Sequence, residues 1–354
     1  MWPSTRLTKL LRIEHPIIQA PMAGASTPAM AAAIANAGGL GSIGSAMMTA
    51  ETLRKTAEET NALTNRPVNF NFFAHEEPDL GAYDAAPMRA ALKPLYEEFG
   101  LGAVPEPSVP APAFNDEMLD VLLSLAPKIV SFHFGLPAPH AIEALKARGT
   151  ILIGNATSVA EAVALQKGGM DAIIAQGAEA GGHRGTFLNA GNDMGTMALV
   201  PQIVDAVSLP VIAAGGIADG RGIAAAFMLG ADGAQLGTAF LRSPESAIPA
   251  PHKKALAERA DNETRVTRLF SGRHARALKN RLTEELAAFE KEAAPFPGQR
   301  PLSGPLAKAA LAKGSGDFSS LWSGQAGPIA REEPSAAIFE RLYDEALRRL
   351  TAQP

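Results

Sequence analysis

Cysteine is absent from the 354-residue chain. That excludes disulfides, thiolate metal sites, a cysteine nucleophile and a cysteinyl link to a flavin. Aromatic residues are sparse at 6%, whereas 33 glycines and 27 prolines exclude a coiled coil and demand frequent turns. Positive charge is not in excess either. The net charge of −4 leaves no basic field for nucleic acid or an anionic membrane. Between Pro16 and Ala50 no residue is charged, but Pro16, Pro21, Pro28 and Gly38-Gly39 cut the run into pieces too short to cross a bilayer. Its Ala, Gly, Ser and Met content reads as buried core instead. The opening MWPSTRLTKLLRIEHP lacks the apolar stretch of a secretion signal, so a cytoplasmic location is expected. No H-x-x-x-H pair occurs and Glu179 has no carboxylate partner at ligand spacing, so no metal is expected. A G-x-S-x-G elbow and a G-x-x-x-x-G-K-[ST] loop are also missing.

What is present alternates. Strand-like runs at Ile17–Ala20, Leu40–Gly44, Val68–Phe72, Ile129–Phe134, Ile151–Asn155, Ala172–Gln176, Pro210–Ala214 and Ala234–Thr238 are separated by helical spacing. Helices are expected over Pro28–Ala37, Ala50–Glu59, Glu117–Leu125, Ala138–Ala147, Val159–Lys167, Met197–Val207 and Arg221–Leu229. Eight such units suit an α/β fold, a (β/α)8 TIM-type barrel, although an open doubly wound sheet fits the same alternation. An internal repeat supports βα units. Sliding Gly154–Gly177 onto Gly215–Thr238 superposes Ser158 on Asp219 as helix N-caps, Gly169 on Gly230 as helix ends, and Asp171 on Asp232 before the next strand. Ser158 and Glu161 have the spacing of a capping box.

Beyond residue 241 the pattern changes. His252–Asp261, His274–Ala294 and Glu333–Leu350 read as charged amphipathic helices, and Gly298–Gly327 as a Gly, Pro and Ser-rich connection. Residues 1–241 are therefore expected to form the barrel, and 242–354 a helical subdomain packed on it. The insertion Gly100–Phe114 reads as an ordered surface loop or lid beside the barrel mouth.

In such a barrel ligands sit at the carboxyl ends of the strands. The strand ends nominate Pro21, Met22 and Gly24, then Asn71, His133 and Gln176. The loop Gly181-Gly182-His183-Arg184 follows, with Gly215-Gly216 after strand seven and Gln235-Leu236-Gly237-Thr238 at strand eight. Glycine ends on strands seven and eight let backbone N–H groups approach a phosphate. His183, in an exposed loop beside the cation of Arg184, is the expected acid–base group. His133 alternates with Phe132 and Phe134 and so points into the barrel or its mouth, where it is expected to line the substrate pocket.

These stretches resemble the nitronate monooxygenase family, formerly called 2-nitropropane dioxygenases. The likeness rests on QAPMAGASTPAMAAAIANAGGLGSIG from Gln19, PVNFNFFAH from Pro67, GAEAGGHRGTF from Gly177, and PVIAAGGIADGRGIAAAFMLGADGAQLGTAFL from Pro210. FHFGLP at Phe132–Pro137 and Leu321-Trp322-Ser-Gly-Gln325 extend it. The resemblance implies a TIM-type barrel with non-covalent FMN. By motif, Asn71, Gln176, Gly181, Gly216 and Gln235–Thr238 would contact FMN, and Pro21, Met22 and Gly24 would line the flavin. His183 would be the catalytic histidine, with His133 and Trp322 in the substrate pocket. The implied reaction takes small alkyl nitronates, notably propionate 3-nitronate, with dioxygen to a carbonyl compound and nitrite. A homo-oligomer is compatible with the sequence. FMN-dependent enoyl-acyl-carrier-protein reductases and NADH:quinone reductases share most of these motifs. From a different class, a non-redox phosphate-binding barrel or a flavin-storing protein remains open. Between Gln299 and Leu321 aromatics are scarce, and Lys308 and Lys313 are the notable polar residues.

Overall fold

A computed structural model describes residues 1–188, 193–260 and 263–351. Asp261, the expected end of one helix, lies outside them. Eight parallel strands are β1 (Ile17–Gln19), β2 (Gly41–Gly44), β3 (Val68–Phe73), β4 (Ile129–His133), β5 (Ile151–Ala156), β6 (Ala172–Gln176), β7 (Val211–Ala214) and β8 (Gly233–Leu236). Each pairs with its neighbour in sequence, and β1 pairs with β8. The ring closes where the Gln19 amide donates to the Leu40 carbonyl at 2.9 Å and the Leu40 amide to Ile17 at 3.1 Å. The fold is therefore a barrel and not an open sheet.

Eight helices surround it: α1 (Pro28–Asn36), α2 (Ala50–Leu63), α3 (Asp116–Leu125), α4 (Pro139–Ala147), α5 (Val159–Lys167), α6 (Thr196–Ala206), α7 (Gly220–Met228) and α8 (Ser335–Thr351). The last packs on α7 and α1, so the ring takes its closing helix from the far end of the chain. Alternation of side chains builds two apolar layers. Ile17, Ile43, Val130, Leu152, Ile173, Val211 and Leu236 point outward against the helices. Ile18, Leu40, Ile129, Ile153, Ile174 and Ile212 point inward and meet Leu7 and Leu11 of the short helix Arg6–Leu11, which plugs the amino end. Above that plug lies a polar layer. Asn69 donates to Ser131 Oγ at 2.9 Å and Ser42 Oγ at 3.2 Å, and Asn71 donates to Ser131 Oγ at 2.9 Å.

The internal repeat is real at the level of hydrogen bonds. Ser158 accepts from the Glu161 amide and Asp219 from those of Arg221 and Gly222. Gly169 and Gly230 have φ of 89° and 91°. Asp171 accepts from the Leu152 amide of β5 and Asp232 from the Val211 amide of β7. The capping box, however, is half made. Glu161 does not return to the Ser158 amide; it turns to other donors described below.

Two expectations for secondary structure are corrected, and one helix was not expected at all. His274–Ala294 is not one helix: Ala275–Leu278 is a strand, followed by the short helix Arg281–Glu285 and a 3-10 turn. That strand pairs antiparallel with Thr264–Thr267 on one side and with Gly182–His183 on the other. The Gly, Pro and Ser-rich stretch contains a thirteen-residue helix, Arg300–Ala312. Pro301 lies in its first turn, where no N–H is needed. A further helix, Ala86–Glu98, precedes the insertion, and its Leu92, Leu95 and Tyr96 pack with Val104, Leu302 and Leu306. The insertion is thereby tied down on its own helix, with Arg89 donating to the Val104 carbonyl at 2.9 and 3.1 Å. None of its residues lines the cavity described next.

Candidate active site

A cavity of about 620 Å³ opens at the carboxyl ends of the strands, a size ordinary for cofactor and substrate sites. The β1 loop brings Pro21, Met22 and Gly24 to it, and β3 and β4 bring Asn71 and His133. Gln176 and the loop Gly181-Gly182-His183 arrive from β6; Gly215, Gly216, Gln235, Gly237 and Thr238 arrive from β7 and β8. Trp322 closes one side from the carboxyl-terminal region. Leu236 is the exception. Its side chain is 1% exposed and faces the outer layer, because the strand period that turns Gln235 inward turns Leu236 away.

His183 is held by strand pairing. With Gly182 it forms the third strand of the small sheet, opposite Ala275 and Arg276. Gly182 has φ of 73°, and a Cβ on Gly181 would fall 2.4 Å from the Gly324 amide nitrogen. Two side chains grip the His183 carbonyl: Gln176 Nε2 at 3.0 Å and His133 Nε2 at 3.2 Å. The imidazole Nε2 meets Ser271 Oγ at 2.8 Å, while no described residue bonds Nδ1. Around it stand Trp322, Phe296, Phe134 and Phe73, with ring centres at 5.2, 5.4, 5.8 and 6.0 Å. Desolvation, followed by His133 and nearby arginines, lowers its pKa to about 3. The ring is neutral at pH 7 and can accept a proton. His133, desolvated likewise to about 3, is neutral and acts as a hydrogen-bond donor to the loop. Phe134 is a bulky residue at φ 73°, a conformation costing about 1–3 kcal/mol that surrounding structure must enforce.

Arg184 does not share the reactive side with His183. It is buried at 3% exposure, donates to the Gly177 carbonyl at 2.6 Å, and lines no part of the cavity. Glu161 holds the other end of the loop. Its carboxylate, fully buried, accepts from the Thr157 amide and hydroxyl at 2.7 and 2.8 Å and from the Phe187 and Leu188 amides at 2.7 and 3.1 Å. Sequence reasoning missed Ser271, Arg273 and Phe296, which lie between the elements it assigned, and Arg300, which lies in the stretch it read as a connection. The alternation in Ala275-Arg-Ala-Leu278 was the available signal.

The lining residues fit a flavin phosphate and ring. Gln235 Oε1 and Asn155 Nδ2 are buried at the cavity wall without hydrogen-bond partners. Such orphaned groups are costly unless a ligand satisfies them. At Gly237 a Cβ would meet only ordinary contacts of 3.5 and 3.7 Å within the protein, and φ is −107°. What a bare backbone serves there is on the cavity side. Arg300 and Lys308 are the charged side chains of the lining; no Asp or Glu is among the described lining residues. The wall therefore favours anions. Among the described residues no cluster of metal ligands occurs, and no helix is long and apolar enough to cross a membrane.

A family model described as nitronate monooxygenase matches residues 4–345. A curated protein of Staphylococcus aureus (strain Newman), described as a probable nitronate monooxygenase, is 40% identical over 353 residues, 98% of each chain. A solved nitroalkane oxidase from Streptomyces ansochromogenes superposes with a TM-score of 0.89 at 40% identity, covering 98% of this chain and 100% of that one. FabK from Thermotoga maritima superposes with a TM-score of 0.76 at 31% identity, over 99% and 98% of the two chains.

Proposed function

The chain belongs to the nitronate monooxygenase family and is a flavin-dependent oxidoreductase; from that premise we propose that it is a cytoplasmic FMN enzyme. Its reaction takes alkyl nitronates, propionate 3-nitronate among them, with dioxygen to a carbonyl compound and nitrite. One observation carries this reading: a neutral histidine, boxed by aromatic rings, faces a cavity whose lining bears cations and no carboxylate.

Gly215, Gly216, Gly237 and Thr238 would hold the phosphate of FMN, and Pro21, Met22, Gly24, Asn71 and Gln235 would border its ring. When bound, FMN supplies the electron acceptor and the reactivity toward oxygen. The chain's own residues bind and orient. Trp322, Phe296 and Phe73, packed about the His183 ring, would enclose the reacting carbon and keep water from it. Arg300 and Lys308 attract the anionic substrate, including a carboxylate borne by it. With Nε2–H donated to Ser271 Oγ, the free lone pair of His183 Nδ1 takes the α-proton from a neutral nitroalkane. A preformed nitronate needs no such step.

The test is His183→Asn. The variant is expected to retain flavin and to lose about 100-fold or more in kcat/KM on a nitroalkane, with a much smaller loss on the preformed nitronate. Undiminished turnover of the nitroalkane would remove His183 from the reaction. The likeness to FabK favours a second reading, an NAD(P)H-dependent reductase built on the same barrel. Anaerobic NADH distinguishes them, since rapid bleaching of the flavin is expected of the reductase alone.

A further inference from the structure

Arg273 occupies the turn that joins the two long strands of the small sheet, two residues beyond Ser271. Its guanidinium lies 3.9 Å over the centre of the Phe134 ring and 6.0 Å from that of Phe296, and it donates to the Thr186 carbonyl. No described carboxylate pairs with it. Glu161, the acid whose field reaches it, is committed to Thr157, Phe187 and Leu188. An enclosed cation without a counter-charge is unfavourable, and a ring face offsets only part of that. Phe134 and Phe296 also border the His183 ring. One layer of aromatic carbon thus separates the guanidinium from the imidazole, and Phe134 is held in that layer against its backbone preference.

The remaining groups that face His183 are Ser271 on the same turn, His133 at the end of β4, His75 beyond β3, and Arg300 on the helix Arg300–Ala312. His75, its pKa lowered by burial and by Arg273 to about 4, is neutral like His133. The fixed charges in the field of the imidazole are therefore Arg273 and Arg300.

We propose that Arg273 is a positioning residue for the reaction: through Phe134 and Phe296, without touching substrate, it sets the field at His183 and provides the counter-charge to an anionic reactant. The inference rests on His183 being the proton acceptor. Its geometry also explains why a cation is stored behind rings. Direct contact would let it ion-pair with the reactant and hold it away from the imidazole, whereas a screened charge acts only through its field.

The experiment compares wild-type holoenzyme with Arg273→Met, Arg273→Gln and Arg273→Lys, each checked for flavin content and melting temperature. Gln keeps a donor for the Thr186 carbonyl and guards against a Met variant that fails to fold. In the neutral variants the acid limb of kcat/KM for a nitroalkane is expected to move up by about one pH unit, because a removed positive charge raises the imidazole pKa. KM for a preformed nitronate is expected to rise about 5-fold or more with kcat little changed, and Lys to restore both. An unmoved limb and KM in a folded neutral variant would overturn the inference, as would a Lys variant as impaired as Met, which marks a structural clamp. If the acid limb persists in His183→Asn, the reading of His183 itself fails; if it belongs to His183 but ignores Arg273, only this inference does.

Discussion

Glu161 shows how much of the site depends on residues that never reach substrate. Four hydrogen bonds converge on its buried carboxylate, two of them from the backbone that follows His183. Glu161→Ala leaves the Phe187 and Leu188 amides without partners. A loss of about 2–4 kcal/mol in denaturant unfolding is expected, together with lower nitroalkane turnover. An unchanged midpoint and rate would show the loop to be held by other contacts. Gly237 makes the opposite prediction. Gly237→Ala adds one methyl group that the protein accepts at ordinary contact distance, so the melting temperature of the flavin-free form should hold while flavin affinity falls by about 10-fold or more. Equal flavin occupancy in the purified variant would place the phosphate elsewhere.

Among the elements, the helix Arg300–Ala312 sets the charge of the cavity. Arg300, Ser303, Gly304, Ala307, Lys308 and Leu311 recur at helical spacing along the cavity-facing side. Ser303 Oγ donates to the Phe270 carbonyl at 2.8 Å, and Tyr96 donates to Leu302 at 2.7 Å, fixing that face. Arg300→Glu with Lys308→Glu should raise KM for propionate 3-nitronate by about 10-fold or more, and much less for a neutral nitroalkane. Equal effects on both substrates would contradict a charge-selective wall. This helix was not legible in the sequence because Gly298, Pro301, Gly304 and Pro305 read as a connection. The barrel strands were legible because each is a short apolar run between turn signals, and the caps Ser158 and Asp219 stood at the repeat's matching positions. The pairing of Gly182–His183 with Ala275–Arg276 joins segments far apart in the chain, and no local pattern announces it. His183 was nominated from its loop and does line the cavity; what fixes its ring was not foreseen.

For the molecule as a whole, closure and protonation matter together. The eighth helix buries Ile338, Phe339, Leu342 and Ala346 against the ring, so a chain ending before Ser335 should fail to accumulate as folded protein. Five histidines, His15, His75, His133, His183 and His252, have pKa values lowered chiefly by burial, to about 4 for His75 and His252 and about 3 for His133 and His183. Their unfolded forms bind protons more readily, so the stability they contribute is intact above pH 6.5 and is lost as pH falls from there toward 4. The melting temperature should therefore drop steadily across that window, and a flat profile would mean that these rings are hydrated in solution. The most direct measurement for the whole account is anaerobic mixing of the yellow holoenzyme with propionate 3-nitronate while its visible spectrum is recorded. Loss of the oxidised flavin band within the mixing time, followed by nitrite on admitting air, is the expected result. A band untouched by the nitronate but bleached at once by NADH would contradict it.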